Sequence, residues 1–271
     1  MAKNKKGFKI MSNVTMEKLV VTNENKSTYH CKGDIPGARP VNHVITEGSQ
    51  LVLKANTGYY HILVLIDGIA DFTVDGKTYT HDNDRVTFIP ALDTELVITA
   101  KTLVQVLEIE WDVKEDDLNM IKEYNTAFPV NIAYVDSIQY IDPNKSQKTI
   151  SRMMIPQRII PRFSMGSVES YGYDAVRAHA HPMLDQFFCS FPENKSIVSI
   201  DGVNNDHLGN EIFHIPLGSN HGVEVVDDNH MHYMWIDFMP DNSAGLARLD
   251  ASHKPTGLNR SFEEERKAKK D

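Results

Sequence analysis

Three histidines in the second half of the chain have a spacing that suits metal binding. His179 and His181 are separated by one residue, and His221 follows a short turn-forming stretch at 216–220. Side chains alternate between the two faces of a strand, so the first two imidazoles would point the same way. Neutral imidazoles together with an oxygen donor suit a divalent transition metal. The sequence therefore predicts one such ion per chain, with Zn, Mn, Fe and Ni all compatible.

A fourth ligand is expected just after the histidine pair, and two residues are candidates. Gln186 is favoured because the aromatic run Phe187-Phe188 after it predicts the next strand, whose parity can place the amide inward. Asp185 is the alternative, and as a carboxylate it would be the more ordinary ligand. The sequence leaves both residues open.

The sequence pattern predicts that the elements which position these residues are strands. Short alternating runs such as 62–65, 70–74 and 103–111 are separated by Asp-Gly pairs and by Pro/Asn clusters. Many short strands with regular turn signals are typical of an all-β sandwich or barrel. Asp67-Gly68 and Asp75-Gly76 each predict a tight hairpin turn.

An internal repeat indicates two copies of this barrel. Val74-Asp75-Gly76 matches Ile200-Asp201-Gly202, and Phe88-Ile89-Pro90 matches His214-Ile215-Pro216. The separation of Glu95 from His221 equals that of Gly76 from Gly202, so all three matches share one offset. Such self-similarity at a fixed period is the signature of a duplicated unit.

The repeat divides the chain into two barrels joined by a linker. We expect a first barrel at 1–112, a linker with a short helix at 113–147, a second barrel at 148–242 and a C-terminal tail at 243–271. In the first barrel, the positions that correspond to the three histidines are Lys54, Asn56 and Glu95, counted from His61. An ammonium group repels a cation, so the metal is expected in the second barrel alone.

These motifs resemble those of the cupin superfamily. His179, His181 and Gln186 match its first motif, and Pro216, Gly218 and His221 match the second. The resemblance implies jelly-roll barrels with an internal metal and, for two copies, a bicupin. The segments 148–156, 163–166 and 234–242 are similar to the 5-keto-4-deoxyuronate isomerases, and the related 5-deoxyglucuronate isomerases share the bicupin plan. This similarity implies a metal-dependent isomerase that interconverts the aldose and ketose forms of a small sugar acid or keto sugar through an enediol.

Candidate substrate and catalytic residues lie near the histidines in sequence. Arg177 precedes His179 by two residues, so on an uninterrupted strand its guanidinium would share the inward face and bind a carboxylate. Tyr173 and Trp235 are candidates to line the sugar pocket. His214, Glu224 and a hydroxide bound to the metal are candidates for the general base. His230 and His232 follow an Asp-Asp-Asn stretch, which predicts a solvated hairpin.

Two rival functions and several exclusions accompany this hypothesis. Open metal positions would also suit an iron-dependent dioxygenase, and a sugar-binding bicupin without catalysis is a further alternative. The net charge of −9 argues against a nucleic-acid partner. No apolar run is long enough to cross a membrane, and the basic start lacks a signal sequence, so a cytoplasmic protein is expected. Exposed strand edges are compatible with a homo-oligomer.

Overall fold

The computed structural model describes residues 14–82 and 85–257, and most of its regular structure is antiparallel sheet. Four sheets form two jelly-roll barrels, so the predicted all-β architecture is confirmed. No helix in the two described stretches is long and apolar enough to cross a membrane.

The first half of the chain contributes eleven strands, one of which leaves its own barrel. In chain order they are β1 (Glu17–Lys18), β2 (Lys26–Tyr29), β3 (Ala38–Ile45), β4 (Gln50–Leu53), β5 (Tyr59–Asp67), β6 (Ile69–Val74), β7 (Lys77–Asp82), β8 (Val86–Ile89), β9 (Leu96–Ala100), β10 (Val104–Asp112) and β11 (Val130–Ala133). Helix α1 (Asp117–Tyr124) lies between the last two.

The second half repeats this series and adds a helix. Its strands are β12 (Ile138–Ile141), β13 (Ile150–Ile155), β14 (Phe163–Tyr171), β15 (Asp174–His179), β16 (Asp185–Ser190), β17 (Lys195–Ile200), β18 (Val203–Leu208), β19 (Glu211–Ile215), β20 (His221–Val225), β21 (His230–Phe238) and β22 (Lys254–Pro255). Helix α2 (Asn242–Ser252) follows β21. A short 3₁₀ helix (Tyr134–Asp136) connects β11 to β12.

Each barrel packs a large sheet against a four-stranded sheet. In the first barrel the orders are β11-β8-β5-β10-β3-β2 and β4-β9-β6-β7; in the second they are β1-β19-β16-β21-β14-β13-β12-β22 and β15-β20-β17-β18. Alternate residues face inward, as the pleat requires. The second interior is packed by Val168, Phe188, Val198, Val223 and Tyr233, all of them buried.

The two Asp-Gly turns at corresponding places confirm the internal repeat. Asp75-Gly76 joins β6 to β7 and Asp201-Gly202 joins β17 to β18, with positive φ at every one of these residues (48° and 74°, 49° and 80°). Positive φ at both central residues defines the type I′ hairpin turn. Asp67-Gly68 is not such a turn, because only Gly68 has positive φ and the chain there passes from one sheet to the other.

The expected domain boundaries need correction because strands are exchanged between the parts. β1 pairs with β19 of the second barrel, although it lies in the segment assigned to the first. The linker supplies β11 to the first barrel and β12 to the second. Residues 243–257 form α2 and β22 rather than a tail, since β22 extends the second large sheet. The charged run at 263–270 lies outside the described residues.

A shared core joins the two barrels, and a buried ion pair holds the linker helix against the second barrel. The rings of Trp111 and Phe238 lie 4.8 Å apart, centroid to centroid. Helix α1 is the short helix expected in the linker, and it begins at Asp117. The carboxylate of Asp117 accepts two hydrogen bonds from Arg162, at 3.0 Å from Nε and 2.6 Å from Nη2. Both side chains are almost fully buried, so this pair fixes the linker against the second barrel.

Candidate metal centre

The three predicted histidines meet in the second barrel. His179 ends β15, His181 follows it, and His221 begins β20. One ring nitrogen from each lies within 4.8 Å of the other two. The ring centroids are 4.6 to 5.5 Å apart. Such convergence allows the three nitrogens to bind one common ion.

An irregularity in β15 produces this convergence. The register between β15 and β20 shifts between Val176 and His179, so both of these side chains face the interior. Gly222 permits the close approach, because a Cβ there would lie 2.9 Å from the carbonyl oxygen of Val176. The β-bulge therefore turns His179 toward His221 and turns the residues between toward solvent.

The histidines are held in the neutral form that binds metals. Burial lowers the pKa of His181 to about 2, and the pKa of His221 to about 4, with neighbouring imidazoles adding to the effect. Burial also lowers the pKa of His179. Nδ1 of His179 donates to the carbonyl oxygen of Arg177 at 2.7 Å, and Nδ1 of His221 to that of Ser219 at 3.1 Å. Both bonds leave the Nε2 lone pair available.

Gln186, and not Asp185, faces the histidines. Its Nε2 donates to Oδ1 of Asp237 at 2.6 Å, while Oε1 is buried without a hydrogen-bond partner in the described structure. Asp185 instead accepts a 2.6 Å hydrogen bond from Nε2 of His214 on the other face of β16. Three neutral imidazoles and one unsatisfied amide oxygen fit a divalent transition metal. These four groups are the ones that would hold it.

The histidines line a pocket within the second barrel. Trp235, predicted from the sequence, forms part of its wall and donates from Nε1 to the hydroxyl of Tyr140 at 3.0 Å. Five charged or titratable residues that sequence reasoning missed also line it: Asp142, Lys145, Asp237, Arg248 and His253. Four of them lie outside the segment 148–242 that was assigned to the metal-binding barrel. The sequence did contain a helix-capping signal, since Asp241 caps α2 by accepting from the amides of Ser243 and Ala244.

Two cationic side chains reach this pocket. The Lys145 side chain is only 7% exposed; its ammonium lies 3.7 Å from Oδ2 of Asp142. Burial lowers the pKa of Lys145 to about 8, against the opposing effect of Asp142. Arg248 projects from α2, and its Nε lies 3.4 Å from Nδ1 of His181. With a bound divalent cation, the pocket would be strongly positive and would favour an anionic ligand.

Four other predicted site residues lie elsewhere. Arg177 is exposed because the bulge reverses its facing, so the expectation of an inward guanidinium is wrong. Tyr173 is 70% exposed and donates to Asp227, so it does not line the pocket. Glu224 is exposed because it lies an odd number of residues from His221 on β20. His214 precedes the inward-facing Ile215 on β19, so its side chain lies on the outer face, where it pairs with Asp185. Of the candidate bases, neither of the two side chains, His214 and Glu224, therefore faces the pocket.

The corresponding place in the first barrel is occupied by an ion pair. Nζ of Lys54 lies 2.6 Å from Oε2 of Glu95, at the positions that align with metal ligands in the second barrel. His61 is bound through Nδ1 to Oε1 of Glu108 and through Nε2 to the carbonyl oxygen of Lys54, at 3.1 Å. These contacts already satisfy the groups that a metal would need.

A second cluster of potential ligands lies on the outer face of β14 and β21. Glu169, His230 and His232 approach within 4.8 Å of one another. His232 is buried, which corrects the predicted solvated hairpin. Its Nδ1 lies 2.5 Å from Glu193 and its Nε2 lies 2.8 Å from the hydroxyl of Tyr134, so both nitrogens already have partners. We assign this cluster to the contact between the barrels.

Comparison with known proteins identifies the fold. No protein-family model matches the sequence, and no curated protein matches it. Among solved structures, a cupin 2 conserved barrel domain protein from Leptotrichia buccalis aligns with a TM-score of 0.59 and 12% identity, over 83% of this chain and 96% of that one. An IolB-like protein from Salmonella typhimurium aligns with a TM-score of 0.65 and 12% identity, over 84% and 93%.

A third solved structure with a similar fold is an oxalate decarboxylase. Lactobacillus farciminis oxalate decarboxylase, in a formate complex, aligns with a TM-score of 0.61 and 11% identity over 85% of each chain. Identities this low carry information on the fold alone. Together with the two jelly rolls and the histidine motifs, they show that the chain has the cupin fold, in a two-barrel arrangement.

Proposed function

We propose that the protein is a metal-dependent isomerase that interconverts the aldose and ketose forms of a small sugar acid. The observation that carries this proposal is the pairing, in one pocket, of a four-group metal site with two cationic side chains. The metal site would act on a carbonyl and its neighbouring hydroxyl. Arg248 supplies the positive charge that a sugar carboxylate requires, and Lys145 is a second basic group in the same pocket.

The bound metal would act as a Lewis acid that lowers the pKa of the hydrogen on carbon beside the carbonyl. The residues of the chain determine how the substrate lies. Arg248 reaches the pocket from α2 on the side of His181, so it would bind the carboxylate. Trp235 forms an apolar wall on which a sugar ring can pack. Leu184 and Leu249, the latter on α2, add apolar surface to the pocket wall.

The fold comparisons support this proposal without separating it from its rivals. One neighbour is described as IolB-like, and the sequence resemblance pointed to the same isomerase group. Another neighbour is named as an oxalate decarboxylase, an enzyme of a small carboxylic acid, which is compatible with an acidic substrate here. An iron-dependent oxygenase and a sugar-binding protein without turnover remain the alternatives that an experiment must separate.

The test is a metal analysis followed by a turnover assay. Purified protein should contain about one transition-metal ion per chain by elemental analysis. Incubation with 5-keto-4-deoxyuronate, 5-deoxyglucuronate and a panel of hexuronates in ²H₂O should yield isomerised product by NMR, with ²H at the carbon beside the carbonyl. His181→Ala should lose both metal and turnover, and His214→Ala, outside the pocket, should retain them.

Other outcomes identify the rivals. Oxygen consumption that depends on substrate and iron would contradict isomerisation and support an oxygenase. Release of CO₂ would support a decarboxylase. Saturable binding of sugar acids with no isotope exchange would support a binding protein.

A further inference from the structure

The linker delivers one lysine into the metal pocket on a rigid loop. The loop follows β12, and Asp142 closes it with two hydrogen bonds. Its Oδ1 accepts from the amide of Asn144 at 2.8 Å, and its main-chain oxygen accepts from the amide of Lys145 at 3.1 Å. The carbonyl oxygen of Asn144 accepts from the amide of Arg177 at 2.8 Å, two residues before His179. The loop is therefore tied to the strand that carries the first histidine. The position of Lys145 relative to the metal site follows from these bonds.

The ammonium of Lys145 is buried with incomplete compensation. Its Nζ donates to the hydroxyl of Tyr140 at 2.7 Å, and its nearest carboxylate oxygen, on Asp142, is 3.7 Å away. The described residues offer it no other hydrogen-bond partner. An ammonium has three donors, so at least one remains for a ligand in the pocket. Beyond these contacts the nitrogen lies 4.6 Å from the ring centroid of Tyr140. Because burial of a charge costs free energy, a ligand that accepts from this ammonium would be favoured.

We propose that Lys145 is the acid–base group that moves the substrate proton in this pocket, an inference that rests on the proposed isomerase function. The neutral amine takes the proton from the carbon beside the carbonyl. The electrons of that C–H bond form the C=C bond of an enediolate, and the carbonyl oxygen accepts the negative charge. The resulting ammonium, whose protons exchange with solvent, delivers a proton to the former carbonyl carbon. The hydroxyl proton of the neighbouring carbon passes to the former carbonyl oxygen, so that this hydroxyl becomes the new carbonyl and the isomerisation is complete without any external oxidant or reductant.

The groups around Lys145 leave it as the best placed base. Two of the titratable or charged groups that line the pocket near Lys145 come from β12 and the loop after it, namely Tyr140 and Asp142. The others come from the second barrel and α2: His179 on β15, Asp237 on β21, Arg248 on α2 and His253 directly after α2. Asp237 is engaged by Gln186, and His253 has a pKa lowered by burial to about 3. Lys145 lines the pocket beside the histidines, and its pKa of about 8 gives it a neutral fraction at physiological pH.

The first experiment compares Lys145→Ala with Lys148→Ala, an exposed lysine three residues away whose ammonium contacts a carbonyl on the surface. Lys145→Ala should keep its metal content and lower the rate of ²H exchange into the substrate by about 10²–10⁴-fold. Ethylamine should restore part of the activity, and amines of different pKa should rescue to different extents. Lys145→Arg, which keeps the charge but cannot become neutral, should stay inactive.

The second experiment needs neither metal nor turnover. Competitive acetylation of the metal-free protein at a series of pH values, read by mass spectrometry, reports the pKa of individual lysines. Lys145 should titrate near pH 8, whereas Lys148 serves as the exposed reference. Titration of Lys145 at or above 10, or amine rescue that fails while metal content is normal, would overturn the assignment.

The two proposals can fail separately. If the wild-type protein with metal exchanges no proton of any sugar acid, the isomerase function is wrong and the role of Lys145 falls with it. If the wild type is active and Lys145→Ala retains its exchange rate within tenfold, only the role of Lys145 is wrong.

Discussion

The side-chain amide of Gln186 donates from Nε2 to Oδ1 of Asp237 at 2.6 Å, and this bond determines which end of the amide faces the metal site. With the nitrogen engaged, Oε1 is directed into the pocket, where it is buried and has no partner among the residues described. Asp237 is itself fully buried, and its desolvation raises its pKa to about 7. A costly buried carboxyl is thus used to orient an otherwise ambiguous ligand.

Asp237→Asn should weaken metal binding by about 10–100-fold, because an asparagine amide can accept from or donate to Gln186 and no longer fixes its orientation. Titration of the metal-free protein with Zn²⁺ against a competing chelator would measure the change. Asp185→Asn is the matched control, since Asp185 lies on the same strand but bonds to His214 outside the pocket. An equal loss of affinity in both variants would contradict the orienting role of Asp237.

The sequence predicted the central parts of this site because they are local. Two histidines one residue apart, a turn before the third and a repeated Asp-Gly hairpin are all readable within a few residues. Strand parity also favoured Gln186 over Asp185, and the structure places Gln186 in the pocket.

The missed and misplaced residues depend on features that a strand pattern does not encode. Arg177 was expected to face inward, but the bulge before His179 reverses its facing. Lys145 and Arg248 come from segments described as a linker and a tail, whose docking onto the barrel depends on long-range contacts. These two residues make the pocket basic. The histidine motifs alone would instead have assigned carboxylate binding to Arg177, which lies on the solvent-facing side of β15.

Arg248→Ala should lower the affinity for carboxylate ligands more than the affinity for neutral sugars. A hydrogen bond to a charged group contributes about 1.5–3 kcal/mol, which corresponds to about 10–100-fold in the dissociation constant. Calorimetric titration with glucuronate and with glucose would compare the two ligands. Arg177→Ala is the control, and it should leave both affinities unchanged because that guanidinium is exposed. The result is contradicted if Arg177→Ala has the larger effect.

The metal should bind in the second barrel alone. His181→Ala should reduce the metal content from about one ion per chain to near zero, because a four-group site that loses one of its three imidazoles loses most of its affinity. Circular dichroism should show a folded protein, since no other strand depends on that side chain. The double variant Lys54→Ala/Glu95→Ala, which removes the ion pair in the first barrel, should retain one ion per chain. Unchanged metal content in His181→Ala would disprove the site.

Mild acid should destabilise the metal-free protein at a pH where most carboxylates are still ionised. Burial lowers the pKa of His181 to about 2, of His253 to about 3 and of His221 to about 4, all below the value of about 6.5 in an unfolded chain. Between pH 6.5 and 4 the unfolded state therefore binds more protons than the folded state, and the free energy of unfolding falls as the pH falls. Asp237, with its raised pKa, keeps its proton in the folded state and offsets one of these histidines. With His207, whose pKa is also lowered by burial to about 3, four histidines less Asp237 leave a net difference of three protons, which gives a slope of roughly 4 kcal/mol per pH unit.

His207 allows this dependence to be tested away from the metal site. It is fully buried on β18, packs edge-on to Phe213 at 5.0 Å between ring centroids, and has a pKa lowered by burial to about 3. His207→Phe should remove one titrating group and reduce the slope between pH 6.5 and 4 by about 1.4 kcal/mol per pH unit. Urea unfolding at several pH values, with a chelator present, measures both slopes. A stability that is flat over this range, or a slope that His207→Phe leaves unchanged, would show that buried neutral histidines do not set the acid sensitivity of the fold.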